Sequence, residues 1–99
     1  MKKIVAIGDE EFVLGFSLVG CEGYIEERPD KILRLIKELI NNQEIGLILV
    51  NDKLTQNIKK EIQEIKLKTN SPLIYEVPGP GSVKKTEDYR KLIRQILGF

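Results

Sequence analysis

Ile45-Gly46-Leu47-Ile48-Leu49-Val50, stopped by Asn51-Asp52, is the stretch that decides the fold. The run is apolar without alternation, which is how a strand reads when both faces of its sheet are covered, as in a parallel sheet flanked by helices. Working outward, Ile4 to Ile7 is a shorter run of the same kind, ended by Gly8-Asp9, and Leu73 to Val77 is a third, enclosed by Pro72 and Pro78. A fourth strand is expected within Gly20-Cys21-Glu22-Gly23-Tyr24-Ile25-Glu26, whose two glycines and two acids suit a short sheet edge.

Helices fill the intervals. Pro29 stands at a first helical position, and Ile32, Leu35, Ile36, Leu39 and Ile40 follow with the spacing of one helix face before Asn41-Asn42 stops them. Leu54, Ile58, Ile62 and Ile65 trace a narrower stripe toward Lys68, with Asn51-Asp52 placed to cap its start. A short helix is expected over Glu10 to Phe16. Strands alternating with helices imply right-handed crossovers, hence an α/β fold with a four-stranded parallel sheet. The expected strand order is 2-1-3-4, a flavodoxin-like or receiver-like arrangement.

Pro78-Gly79-Pro80-Gly81-Ser82 continues neither strand nor helix and reads as a hinge. Beyond it, Tyr89, Leu92, Ile93, Ile96 and Leu97 recur as an amphipathic stripe, giving a terminal helix from about Lys84 to Leu97, with Phe99 after Gly98 as an anchor or a frayed end. The expected organisation is an α/β body over residues 1–77, the hinge at 78–82 and the terminal helix segment at 83–99. In that helix segment Lys84, Lys85, Arg90, Lys91 and Arg94 outnumber Glu87 and Asp88.

Composition narrows the function. The 99 residues are 41% apolar and 31% charged, a balance that supports one folded core rather than a disordered tail. Sixteen Lys and Arg against fifteen Asp and Glu leave no strong net field to attract nucleic acid or an anionic membrane. No apolar run is long enough to span a bilayer, and the opening Met1 to Gly8 reads as a strand rather than a signal peptide. Cys21 is alone, which fits a reducing compartment, and with no basic cluster around it in sequence it is expected to be an inert core residue.

Catalytic signals are sparse. The chain has no histidine, which removes the commonest general base and metal ligand. Gly8 is followed by neither a dinucleotide fingerprint nor a Walker lysine, and Pro80 spoils the Gly79 to Ser82 stretch as a phosphate nest. No cofactor, metal or catalytic residue is expected. Asp9, Glu10, Glu11 and Asp52 do fall at the carboxyl edge of the expected sheet, where a two-component receiver domain keeps its magnesium-binding and phosphoacceptor acids. Helix capping by Asp9 and Asp52, with Glu10 and Glu11 placed against the helix dipole, is the simpler explanation. A phosphoacceptor signalling domain with Asp52 as acceptor stays open as an alternative. RNA binding through the basic helix face is a weaker one, because that face lacks aromatics for base stacking.

Taken together, Ile4-Val5-Ala6-Ile7-Gly8-Asp9-Glu10, Gly15-Phe16-Ser17-Leu18-Val19-Gly20, Ile45 to Val50 and Pro72-Leu73-Ile74-Tyr75-Glu76-Val77-Pro78 resemble, in order and spacing, the F subunits of the archaeal and bacterial A/V-type rotary ATPases. Glu11-Phe12-Val13 departs from the small hydroxyl-bearing residues that family members often carry there. The resemblance implies a receiver-like fold without phosphorylation chemistry and a non-catalytic place in the central stalk, or rotor. It implies binding to the coiled-coil D subunit of that rotor, transient contact with the catalytic A/B head, and a cytoplasmic position peripheral to the cell membrane. Tethered through the hinge, the stripe Tyr89, Leu92, Ile93, Ile96, Leu97 and Phe99 is then the expected partner-binding and regulatory surface, with completion of the chain's own core as the equal alternative.

Overall fold

A computed structural model of the chain describes residues 2–78 and 86–98. Four strands, β1 (Lys3–Gly8), β2 (Glu22–Ile25), β3 (Ile45–Asn51) and β4 (Leu73–Val77), form one parallel sheet in the order β2-β1-β3-β4, as the sequence predicts. Among the described residues four α-helices accompany them: α1 (Glu10–Ser17), α2 (Pro29–Leu39), α3 (Lys59–Lys68) and α4 (Thr86–Leu97).

The two faces of the sheet have separate cores. On one, Ile32, Ile36 and Leu39 of α2 and Ile62 and Ile65 of α3 pack against Val5, Ile7, Ile48, Val50 and Ile74. On the other, Phe16 of α1 and Tyr89 of α4 meet Ala6, Leu47, Leu49 and Val77, with Leu92, Ile93 and Ile96 partly buried beside them. Alternation of side chains along each strand supplies both cores at once. That is why the strands read as continuous apolar runs.

One irregularity lies in β3. Lys3 pairs with Ile45 but Ile4 pairs with Leu47, so Gly46 is an extra residue in the ladder. It brings Ile45 onto the same core as Ile48, although three positions separate them. A side chain at Gly46 would meet Lys2, whose Cβ lies 2.8 Å from where the new Cβ would stand.

Helix boundaries follow local chemistry. Asp9 caps α1 by accepting the Phe12 N–H at 2.9 Å. The unusual Glu11-Phe12-Val13 segment therefore begins its helix from the residue before Glu10, without a hydroxyl cap. Pro29 is the first residue of α2, and its N-cap position, Arg28, contributes no side-chain bond. The expected continuous helix after Asn51-Asp52 is instead two short 3-10 turns, Asp52–Leu54 and Gln56–Ile58, before α3. Asn51 rather than Asp52 caps the first of them, accepting the Lys53 N–H at 3.1 Å. The Thr55 N–H and hydroxyl both lie 3.1 Å from the Asp52 carbonyl oxygen, and such local bonds compete with an α-helical ladder.

Of the expected hinge, Pro78 is described and exposed, whereas Gly79, Pro80, Gly81 and Ser82 lie outside the described residues, as do Lys84, Lys85 and Phe99.

Candidate functional site: the docked terminal helix and the carboxyl edge of the sheet

The carboxyl edge gathers the acids that the sequence singles out, and Asp9 and Asp52 are each engaged by a neighbour. Asp9 follows β1; its Oδ1 takes the Phe12 N–H and its Oδ2 lies 3.0 Å from Lys53 Nζ. The capping bond, opposed by partial burial and assisted by Lys53, holds the Asp9 carboxyl below the ordinary aspartate range. Asp52, after β3, is paired with Lys59 at 2.8 Å. Lys59 also reaches Glu76 Oε2 at 3.3 Å, Lys66 reaches Glu76 Oε1 at 3.4 Å, and the Thr55 hydroxyl donates to Glu76 Oε2 at 2.9 Å.

This is a structural clasp. Glu76 on β4 ties together the 3-10 turns and both ends of α3, with Thr55 fully buried beneath it. The hydrogen bonds from Lys59 to Asp52 and Glu76 raise the lysine's pKa, keeping the ammonium charged. A phosphoacceptor at Asp52 would first have to surrender its 2.8 Å contact with Lys59. Among the described residues, no group of three or more His, Cys, Asp or Glu side chains is disposed to hold a metal ion. Sequence reasoning placed Asp9 and Asp52 at this edge but missed Lys53, Lys59, Lys66 and Glu76, whose pairings cross helix-to-sheet distances that no local pattern encodes.

The terminal helix is laid on the other core. Tyr89 is buried, its ring in a T-shaped contact with Phe16, centroids 4.8 Å apart and planes at 84°. Phe16 in turn stacks at a tilt on Phe12, 4.9 Å away. Gly15 is what lets Tyr89 approach α1, because a Cβ at that position would fall inside the tyrosine ring. Burial and the nearby Glu11 and Asp9 charges push the Tyr89 phenol up from its ordinary pKa. Leu92, Ile93 and Ile96 lie along the same inward stripe, half-buried, while Leu97 is exposed. The structure thus brings Tyr89, Leu92, Ile93 and Ile96 together on one core and leaves Leu97 facing solvent. Arg90, Lys91 and Arg94 are exposed on the far side and make no ion pair among the described residues.

Cys21 is buried in the α1 and α4 core, and burial pushes its thiol up to about 11. At neutral pH it is a small apolar residue in all but name. No helix among the described residues is long and apolar enough to cross a membrane.

Comparison with known proteins places this architecture. The family model of the ATP synthase (F/14-kDa) subunit matches residues 4–94. The A-type ATP synthase F subunit of Thermococcus kodakarensis is 37% identical over 102 residues, covering 97% of this chain and 94% of that protein. That of Methanothermobacter thermautotrophicus is 34% identical over 99 residues, covering 96% and 92%, and that of Methanocaldococcus jannaschii is 31% identical over 98 residues, covering 97% and 95%. The match runs from the first strand into the last helix, so body and terminal helix alike fall within it, and the chain belongs to the family of ATP synthase F subunits.

Proposed function

We propose that this chain is a non-catalytic central-stalk component of a V/A-type ATP synthase, bound to the coiled-coil D subunit and turning with it inside the catalytic A/B head. In that place it makes and breaks no bond itself. It transmits torque, coupling ATP synthesis or hydrolysis to ion transport, and stands peripheral to the cell membrane through its partners. The observation that carries this reading is the family match along nearly the whole chain, together with a carboxyl edge where Asp9, Asp52 and Glu76 are paired with lysines.

The terminal helix is the regulatory element of the proposal. Tyr89, Leu92, Ile93, Ile96, Leu97 and Phe99 form its partner-facing stripe, and Pro78 to Ser82 tether it. A helix that docks on its own body can exchange that site for another surface if the second buries a comparable area, each large side chain being worth roughly 1.5–3 kcal/mol when fully covered. Released, the stripe is available to the head or to the coiled coil.

The test is co-elution. The purified chain, run on a sizing column with the coiled-coil D subunit from the same source, is expected to form a one-to-one complex that survives moderate salt. Leu92→Ala or Ile96→Ala is expected to alter ATPase control in the reassembled complex. A chain that stays monomeric beside the well-folded coiled coil would sink the reading.

A further inference from the structure

The cover over the α1 and α4 side of the sheet reaches Val77 at the carboxyl end of β4 but not Leu73 and Tyr75 before it. Leu47 and Leu49 on β3 are 1% and 0% exposed, yet their register partners Leu73 and Tyr75 on β4 are 56% and 36% exposed. By the two-residue period of a strand, Leu73 and Tyr75 share the side of Val77, which packs into that core. A row of the sheet's own apolar face therefore emerges from under α4.

β4 is also an edge strand, with β3 on one side and, among the described residues, no strand on the other. Soluble proteins usually blunt such edges with charge, bulges or brevity. The opposite edge does so: β2 has only four residues, among them Glu22, which pairs with Lys3, and Gly23. β4 carries one charge, Glu76, and that side chain is turned to the opposite face and occupied by Lys59, Lys66 and Thr55. No charged side chain of β4 is left to repel an incoming backbone.

The amino end of β4 is basic. Lys2 Nζ lies 3.2 Å from the Ser71 hydroxyl, and Lys68 closes α3 just before the strand. Both are exposed, and neither has an ion-pair partner among the described residues. A second copy of β4 would bring no carboxylate to answer them, since its Glu76 is already engaged. A helix laid on Leu73 and Tyr75 would cover the side chains but leave the edge backbone unpaired.

We propose that the outer edge of β4 is a strand-addition site for an extended segment of another protein, apolar at alternate positions over Leu73 and Tyr75 and acidic where it passes Lys2 and Lys68. The added backbone extends the sheet to five strands, the alternating side chains close the open row, and the acids supply direction and register. The site does not depend on the rotor reading, and binding of the coiled coil is a separate measurement.

Two blocked eight-residue peptides of alternating valine and threonine serve as probes, one carrying two glutamates at one end and the other two lysines. Nitrogen-15 spectra of the full chain are expected to show shifts and slowed amide exchange confined to residues 73–77 with the glutamate peptide. Binding should be at least tenfold weaker with the lysine peptide. The Lys2→Glu, Lys68→Glu double variant is expected to reverse that preference, and Tyr75→Lys to abolish binding while the rest of the spectrum stays folded. Equal binding of the two peptides, shifts centred on other elements, or no binding at millimolar peptide would each overturn the proposal. Shifts at 73–77 that grow with protein concentration alone would assign the edge to a second copy and overturn it equally.

Discussion

The Tyr89 ring sits over Gly15, in a space that any side chain on residue 15 would fill, and meets the Phe16 ring one position on in a T-shaped contact. This contact pins α4 to α1. Gly15→Ala forces the tyrosine outward, and overpacking of this kind costs about 1–3 kcal/mol. Trypsin should then cut faster after Arg90, Lys91 and Arg94, measured as loss of the intact chain under native conditions. An unchanged cleavage rate would mean that α4 is held by Leu92, Ile93 and Ile96 alone.

Glu76 accepts from three side chains, one of them the fully buried Thr55. Glu76→Ala should lower stability by about 1–3 kcal/mol in urea titration, because it leaves the buried Thr55 hydroxyl with the Asp52 carbonyl alone and removes the partner of Lys66. Glu76→Gln, which keeps an oxygen for Thr55, should recover part of that loss. The charge-dependent remainder should shrink in 1 M salt, where the Debye length is about 3 Å.

Asp9 carries a pH signature. Its folded-state pKa is depressed, chiefly by the Phe12 N–H, so its contribution to stability is fully present above the unfolded aspartate value near 3.8 and is lost as pH falls through the lower folded value. Asp9→Asn should therefore show a shallower decline of melting temperature in that acid window. At pH 7, Asp9→Ala should cost about 1 kcal/mol through loss of the cap. Equal acid slopes for Asp9→Asn and the parent chain would contradict the assignment.

Cys21 should resist alkylation. With its thiol pushed up to about 11 by burial, iodoacetamide at pH 8 is expected to label the native chain far more slowly than the urea-unfolded one, followed by mass spectrometry. Equal rates would place the thiol at the surface.

The strands and the helix faces were legible in the sequence because apolar periodicity records burial directly, whereas the strand order followed from the expected fold class and not from any residue. Ile32, Ile36 and Leu39 could only be one face of a helix, and Ile48 to Val50 only a strand covered on both sides. The start of α3 was not legible, since Asn51, Asp52 and Thr55 satisfy one another's backbone groups locally and divert the chain into 3-10 turns. The clasp on Glu76 was hidden for another reason. Its lysines stand ten and seventeen positions away, and only the packing of α3 against β4 makes them neighbours. Tyr89 was readable as a core residue, but nothing in its own helix named Gly15 as the complement.

The additional residue at Gly46 sets the phase of the strand that follows it. Pulling it into a regular ladder would keep every apolar side chain of β3 and yet turn Ile45 to the other side of the sheet, away from the core shared with α2 and α3, whereas deleting it would leave Ile45 two positions before Ile48 and on the same face. For this strand, counting matters as much as composition: its apolar residues divide correctly between two cores only because one small residue is left out of the count.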